Sequence, residues 1–185
     1  MTHAPRVNAV GDLELTDPAA MRALAEPTRL AVFDRVRRGP ATAAALAESV
    51  EEPESVVRGH LTALESFGLV SRHGDAWRAV AKGFVFEIPD EPDGQAAARE
   101  LTSVMMLGYD ELPRRWVDET EPQLELDWVR AAGLFNARVA LTPEELRDVQ
   151  ARLEGLLAPF LTREPDAMPT GARPVRILGY FLPEA

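Results

Sequence analysis

The sequence predicts a mainly helical α+β fold, and three observations predict it. Apolar residues recur at helical spacing through most of the 185 residues. Two short helical patterns joined by only three residues run straight into a strand–turn–strand pattern. In the second half, an alternating run at residues 135–141 and a mostly apolar run at 175–182 read as short strands within a helical region.

Each element has a local reason. Asp17-Pro18 is a capped helix start, and Met21, Leu24 and Ala25 form its apolar stripe. Pro27 opens a second helix over residues 28–38, with Leu30, Phe33 and Val36 in the pattern and Gly39-Pro40 closing it. Thr42 is placed to cap a third helix running to Val50, with Leu46, Ala47 and Val50 at apolar spacing. Glu51-Glu52-Pro53 leaves room only for a tight turn, and Pro53 suits the first position of a fourth helix reaching Ser66. Two helices joined in this way predict a helix-turn-helix. Gly68 stops the fourth helix, residues 69–73 and 76–80 read as strands, and Gly74-Asp75 turns between them. A hairpin in that place is a wing, with Trp77 as the apolar anchor beneath it. Leu30, Phe33, Leu46, Leu61, Leu64 and Leu69 are the expected core.

The fourth helix has two faces that ask for different neighbours. Val57, His60, Leu61 and Leu64 gather on one side and want a core. Ser55, Arg58, Gly59, Thr62 and Ser66 gather on the other, small and polar with one guanidinium. A helix entering a DNA major groove needs such a face, because base edges are reached only when the backbone comes close. Ser55, Arg58, Gly59 and Thr62 are therefore expected DNA contacts, with Thr42 beside them at the start of the preceding helix. Arg72, His73 and Arg78 of the wing, and Lys82 just after it, are expected to meet phosphates.

At this point the residues resemble a known family. Ala25-Glu-Pro-Thr-Arg-Leu, the helix-turn-helix, His60-Leu61-x-x-Leu64, Gly68-Leu-Val and the hairpin resemble the ArsR-type winged-helix transcriptional regulators over residues 13–86. The likeness is to longer, actinobacterial-style members, whose C-terminal extension here contains Leu141-Thr-Pro-Glu-Glu-Leu. The resemblance implies a homodimeric repressor that binds a pseudo-palindromic operator and is released by an effector. Carried over by position, Ser55, Arg58 and Thr62 are base or backbone contacts and the wing holds phosphates. The chain departs from the family at Arg58, where serine is common, and at Gly59, where a basic or polar residue is common. Its turn is also unusually acidic, with Glu51, Glu52 and Glu54 at a helix N-terminus.

Charge divides the chain. Residues 1–89 carry ten Lys/Arg against twelve Asp/Glu, and residues 90–185 carry ten against eighteen, within a formal net charge of −10. The expected domains follow that division: residues 1–89 for DNA binding, residues 90–185 for dimerisation and effector binding. The near-neutral first half approaches DNA with shape more than with field, so its affinity is expected to fall quickly with salt. No apolar run spans a membrane and no leader pattern is read, so the expected location is cytoplasmic, with no membrane partner. Without Cys there is no thiolate metal site, and His3, His60 and His73 are scattered, so no metal is expected. No nucleophile arrangement or phosphate loop is present either, so neither a cofactor nor an enzymatic activity is expected.

In the second half, residues 95–112 read as a long helix with Ala97, Leu101, Val104, Met105, Gly108 and Leu112 on one stripe, which Pro113 restarts or kinks toward Trp116. A helix at residues 124–132 ends at Gly133. Thr142-Pro-Glu-Glu is a capping box opening a further helix, with Leu146, Val149, Leu153, Leu156 and Phe160 in a repeat of seven, as a dimer seam or a plain core face. Met105, Met106, Tyr109, Trp116, Trp128 and Phe135 are adaptable or aromatic side chains of the kind that line apolar cavities, and they form the expected effector site. The leading expectation is a homodimeric repressor of double-stranded DNA, released by an apolar small molecule. The alternative is a winged-helix protein-interaction module that has lost DNA binding, a reading motivated by the acidic turn.

Overall fold

The computed structural model describes residues 6–9 and 11–184, which fall into two compact units, Met1–Arg138 and Val139–Ala185. The first unit opens with β1 (Arg6–Val7) and β2 (Asp12–Leu15), followed by α1 (Pro18–Leu24), α2 (Pro27–Val36), β3 (Ala41–Thr42), α3 (Ala43–Val50) and α4 (Glu54–Ser66). The hairpin β4 (Val70–His73) and β5 (Ala76–Ala79) comes next, then β6 (Gly83–Phe86), α5 (Pro92–Arg115) and α6 (Leu126–Ala131). The second unit contains α7 (Pro143–Leu161). The mainly helical class is as expected, but every strand among the described residues lies in the first unit.

Capping chemistry sets most of the helix starts. The Asp17 carboxylate accepts from Ala19 N at 2.8 Å and starts α1. Glu26 starts α2, its two oxygens taking the N–H groups of Thr28 and Arg29 at 3.2 and 2.6 Å. Thr42 Oγ1 accepts from Ala45 N at 3.2 Å to start α3. Thr142 and Glu145 cap each other reciprocally at the head of α7, as the sequence indicated. The Glu145 carboxylate lies below the usual range because the Thr142 backbone N–H donates to it. Pro53 departs by one position: it is the extended N-cap of α4 rather than its first helical residue. Gly68 ends α4 with φ +68°, a backbone state that side chains strongly disfavour.

The six expected core residues are all buried, and Val57, Val32, Val36, Met21 and Leu24 are buried with them. Trp77 is buried beneath the wing. The core extends further than expected at both ends. Leu13 and Leu15 of β2 point into it, while Asp12 and Glu14 do not, and β2 runs parallel to β6 with Leu13 opposite Phe84. The first half of α5 also belongs to it, through Ala97, Ala98 and Leu101. The boundary expected at residues 89–90 thus falls just before a helix that completes the N-terminal core. Arg22 of α1 clamps α5 by reaching both carboxylate oxygens of Asp93, at 3.1 and 2.6 Å, and its main-chain carbonyl at 3.1 Å.

Two expectations need correction. Residues 132–142 and 172–184 contain no strand, so the strands expected at 135–141 and 175–182 are absent among the described residues. A strand needs a second backbone paired with it in a ladder, and the strand pairings among the described residues run only between segments up to Phe86. Pro113 does not end its helix. α5 continues to Arg115 and loosens into a π turn over Trp116–Thr120, close beyond a residue that has no N–H to donate.

Candidate nucleic-acid interface

Three segments build the candidate surface: α3, α4 and the wing. α3 and α4 meet through a turn that carries strain. Glu51 adopts φ +57°, ψ +39°, the left-handed state usually given to glycine. In exchange, Glu52 N donates to Ala47 O at 3.1 Å and Glu51 N to Glu48 O at 3.4 Å, which satisfies carbonyls left open at the end of α3. This turn fixes where α4 begins. Val57, Leu61 and Leu64, all fully buried, fix how it is rotated.

That rotation leaves Ser55, Arg58, Gly59, Thr62 and Ser66 exposed together, as helical spacing required. A methyl group placed on Gly59 would meet nothing within 4 Å, so the middle of this face is open. Thr62 Oγ1 donates to Arg58 O at 2.9 Å and Ser66 Oγ to Ala63 O at 2.7 Å, which folds both hydroxyls onto their own helix. Arg58 is engaged as well: Nε and Nη2 both donate to Oε1 of Glu54, one turn earlier. The sequence reading missed Glu54, although carboxylate and guanidinium four residues apart are a recognisable helix pair.

His60 lies on the inner side of α4 with its side chain 15% exposed, Nδ1 3.5 Å from Oε2 of Glu26. The carboxylate that caps α2 therefore also faces the recognition-type helix. Thr42 is exposed, but its hydroxyl is spent on the α3 cap.

The wing divides its basic residues. Strands β4 and β5 pair in the register Ser71 with Arg78, Arg72 with Trp77 and His73 with Ala76. Side chains opposite one another share a face, so Arg78 stands with Ser71 and His73, while Arg72 shares the face of buried Trp77. Arg72 turns to the tip, where Nε donates to Gly74 O at 2.9 Å. His73 Nε2 is 3.3 Å from Ser71 Oγ. Short β3 pairs with β5, Thr42 opposite Ala76, and so brings the head of α3 beside the wing. Lys82 lies past the hairpin: its backbone N donates to Gly11 O at 2.8 Å, and its carbonyl accepts from Arg37 at 3.3 Å.

The six residues of the expected effector site are spread along the chain. Met105, Met106 and Tyr109 are half-buried on α5, Trp116 is in the π turn, Trp128 is in α6, and Phe135 is 93% exposed in an irregular segment. An open depression of about 500 Å³ beside α5 is lined instead by Ala25, Ala96, Arg99, Glu100, Ser103 and Val104. Among the described residues, no group of three His, Cys, Asp or Glu side chains is placed to hold a metal ion, and no helix is long and apolar enough to cross a membrane.

No curated protein matches the chain. Among solved structures, the S-adenosylmethionine-dependent methyltransferase SibL in its apo form is similar at 20% identity over 80% of this chain, with a TM-score of 0.31. This chain spans 45% of the length of that methyltransferase. Residues 24–73 match the family model described as a helix-turn-helix domain. That match begins in α1 and ends at the tip of the wing, so the segment carrying the exposed face of α4 is a helix-turn-helix domain.

Proposed function

We propose that the chain is an ArsR-type transcriptional regulator, acting in the cytoplasm as a homodimeric repressor of a pseudo-palindromic operator. The observation that carries this reading is the outer face of α4: small, polar, unobstructed and centred on Arg58. Two such helices on a two-fold axis enter successive major grooves about one helical turn apart. Arg58 and Ser55 meet base edges, Thr42 and Thr62 the nearby backbone, and Arg78 with His73 the phosphates flanking the wing. Dimerisation falls to the region from residue 90 onward. On α7 in that region, Leu156 at 69% and Phe160 at 63% exposure leave apolar surface for a second copy to cover. An apolar effector acts by binding one spacing of the two α4 helices better than the other.

The test is selection of sites from random duplex DNA, followed by anisotropy titration of Arg58→Ala across salt concentrations. Arg58→Ala is expected to lose about 1–3 kcal/mol of discrimination at one base position of each half-site. Unchanged affinity together with unchanged sequence preference removes Arg58 from the interface. Wild-type protein that enriches no DNA at low salt favours the interaction-module reading, which the acidic residues Glu51, Glu52 and Glu54 motivate.

A further inference from the structure

The Glu54–Arg58 pair carries an inference that rests on the DNA-binding reading and deepens it. A guanidinium holds five N–H bonds in one plane. Glu54 Oε1 occupies the side bearing Nε and one Nη2 hydrogen, with Nε 2.8 Å away. The remaining Nη2 hydrogen and one on Nη1 lie parallel along the free end of the group. Two parallel donors at that spacing match O6 and N7 of guanine. We infer that Glu54 is a positioning residue that holds Arg58 end-on, so that it reads a guanine in each half-site.

Charge separates this role from simple attraction. The pair sums to zero, so Arg58 adds little to the salt-dependent pull of the phosphates. What it adds is directional: paired, its long side chain has fewer arrangements to lose on meeting the base. A carboxylate on a DNA-facing helix is otherwise a liability, since it repels phosphate. Its bland role is favourable charge in the first turn of α4, and Glu54→Asp keeps that charge while shortening the reach to Arg58 by one methylene.

The experiment compares base preferences of the full-length wild type, Glu54→Ala and Glu54→Asp on random duplex pools, with thermal melting to confirm that each folds. Both variants are expected to lose about tenfold in preference for guanine at one position per half-site, with the other positions unchanged. Low-salt binding to all sequences is expected to hold or rise in Glu54→Ala. Wild type selecting guanine at the Arg58-dependent position while both variants keep that preference overturns the positioning role alone. Preference lost by Glu54→Ala but kept by Glu54→Asp assigns Glu54 to helix-end charge and also overturns it. Wild type that selects no sequence overturns the DNA-binding reading itself, and this inference with it.

Discussion

The chemistry of Gly59 suits its position poorly, because a solvent-facing site inside a helix favours most other side chains. Nothing lies within 4 Å of where its Cβ would be, so no neighbour in the fold requires a glycine. Gly59→Ala is therefore expected to stabilise the protein by up to about 1 kcal/mol, read from urea denaturation, because alanine loses less backbone entropy in a helix. The same methyl stands where a groove wall must approach, so DNA affinity is expected to fall. A variant that gains stability and binds as tightly as the wild type refutes close approach at that point. Helical spacing in the sequence was enough to place Gly59, Ser55, Arg58 and Thr62 on one face. It did not indicate that Arg58 is already engaged, because Glu54 belongs at once to the acidic turn and to the carboxylate–guanidinium pair four residues apart.

Among the elements, α1 and α5 are joined by the most specific contact, the fork between Arg22 and Asp93. Arg22 donates to the Asp93 carboxylate and, with its charge close by, holds that group below the ordinary range for an aspartate. The folded state thus binds this proton less readily than the unfolded chain. The contribution to stability is complete above the ordinary aspartate value, about 3.9, and disappears as pH falls through the lowered folded value. Asp93→Asn is expected to melt earlier than the wild type at neutral pH, with the two melting curves converging in acid. A gap that persists at the lowest pH at which the protein stays folded assigns the loss to packing. Local signals made the helices legible: Asp17, Thr42 and Thr142 at their starts, Gly68 at a stop. The strand β2 was not read, although Leu13 and Leu15 alternate with Asp12 and Glu14, because four residues become a strand only against a neighbour far along the chain. The reverse error arose at residues 135–141 and 175–182, where a strand-like sequence joins no ladder among the described residues.

For the whole molecule, the contrast is between a first unit that buries an apolar core, from Leu13 to Leu101, and a second in which none of the described residues is buried. Leu156 and Phe160 lie on α7 in the seven-residue spacing of a helix seam. A second copy of the chain is the proposed cover, so Leu156→Asp combined with Phe160→Asp is expected to halve the mass found by sedimentation equilibrium and leave the helical signal of the first unit intact. Wild type that sediments as a monomer at micromolar concentration refutes the dimer. The parallel pairing of β2 with β6 has a separate consequence. It ties a strand that precedes α1 to one that follows the wing, so the chain between them returns almost to its own starting point. Assembly of that ring has to wait for two distant stretches to meet, and the late step in refolding belongs to this closure and not to the helices it encloses.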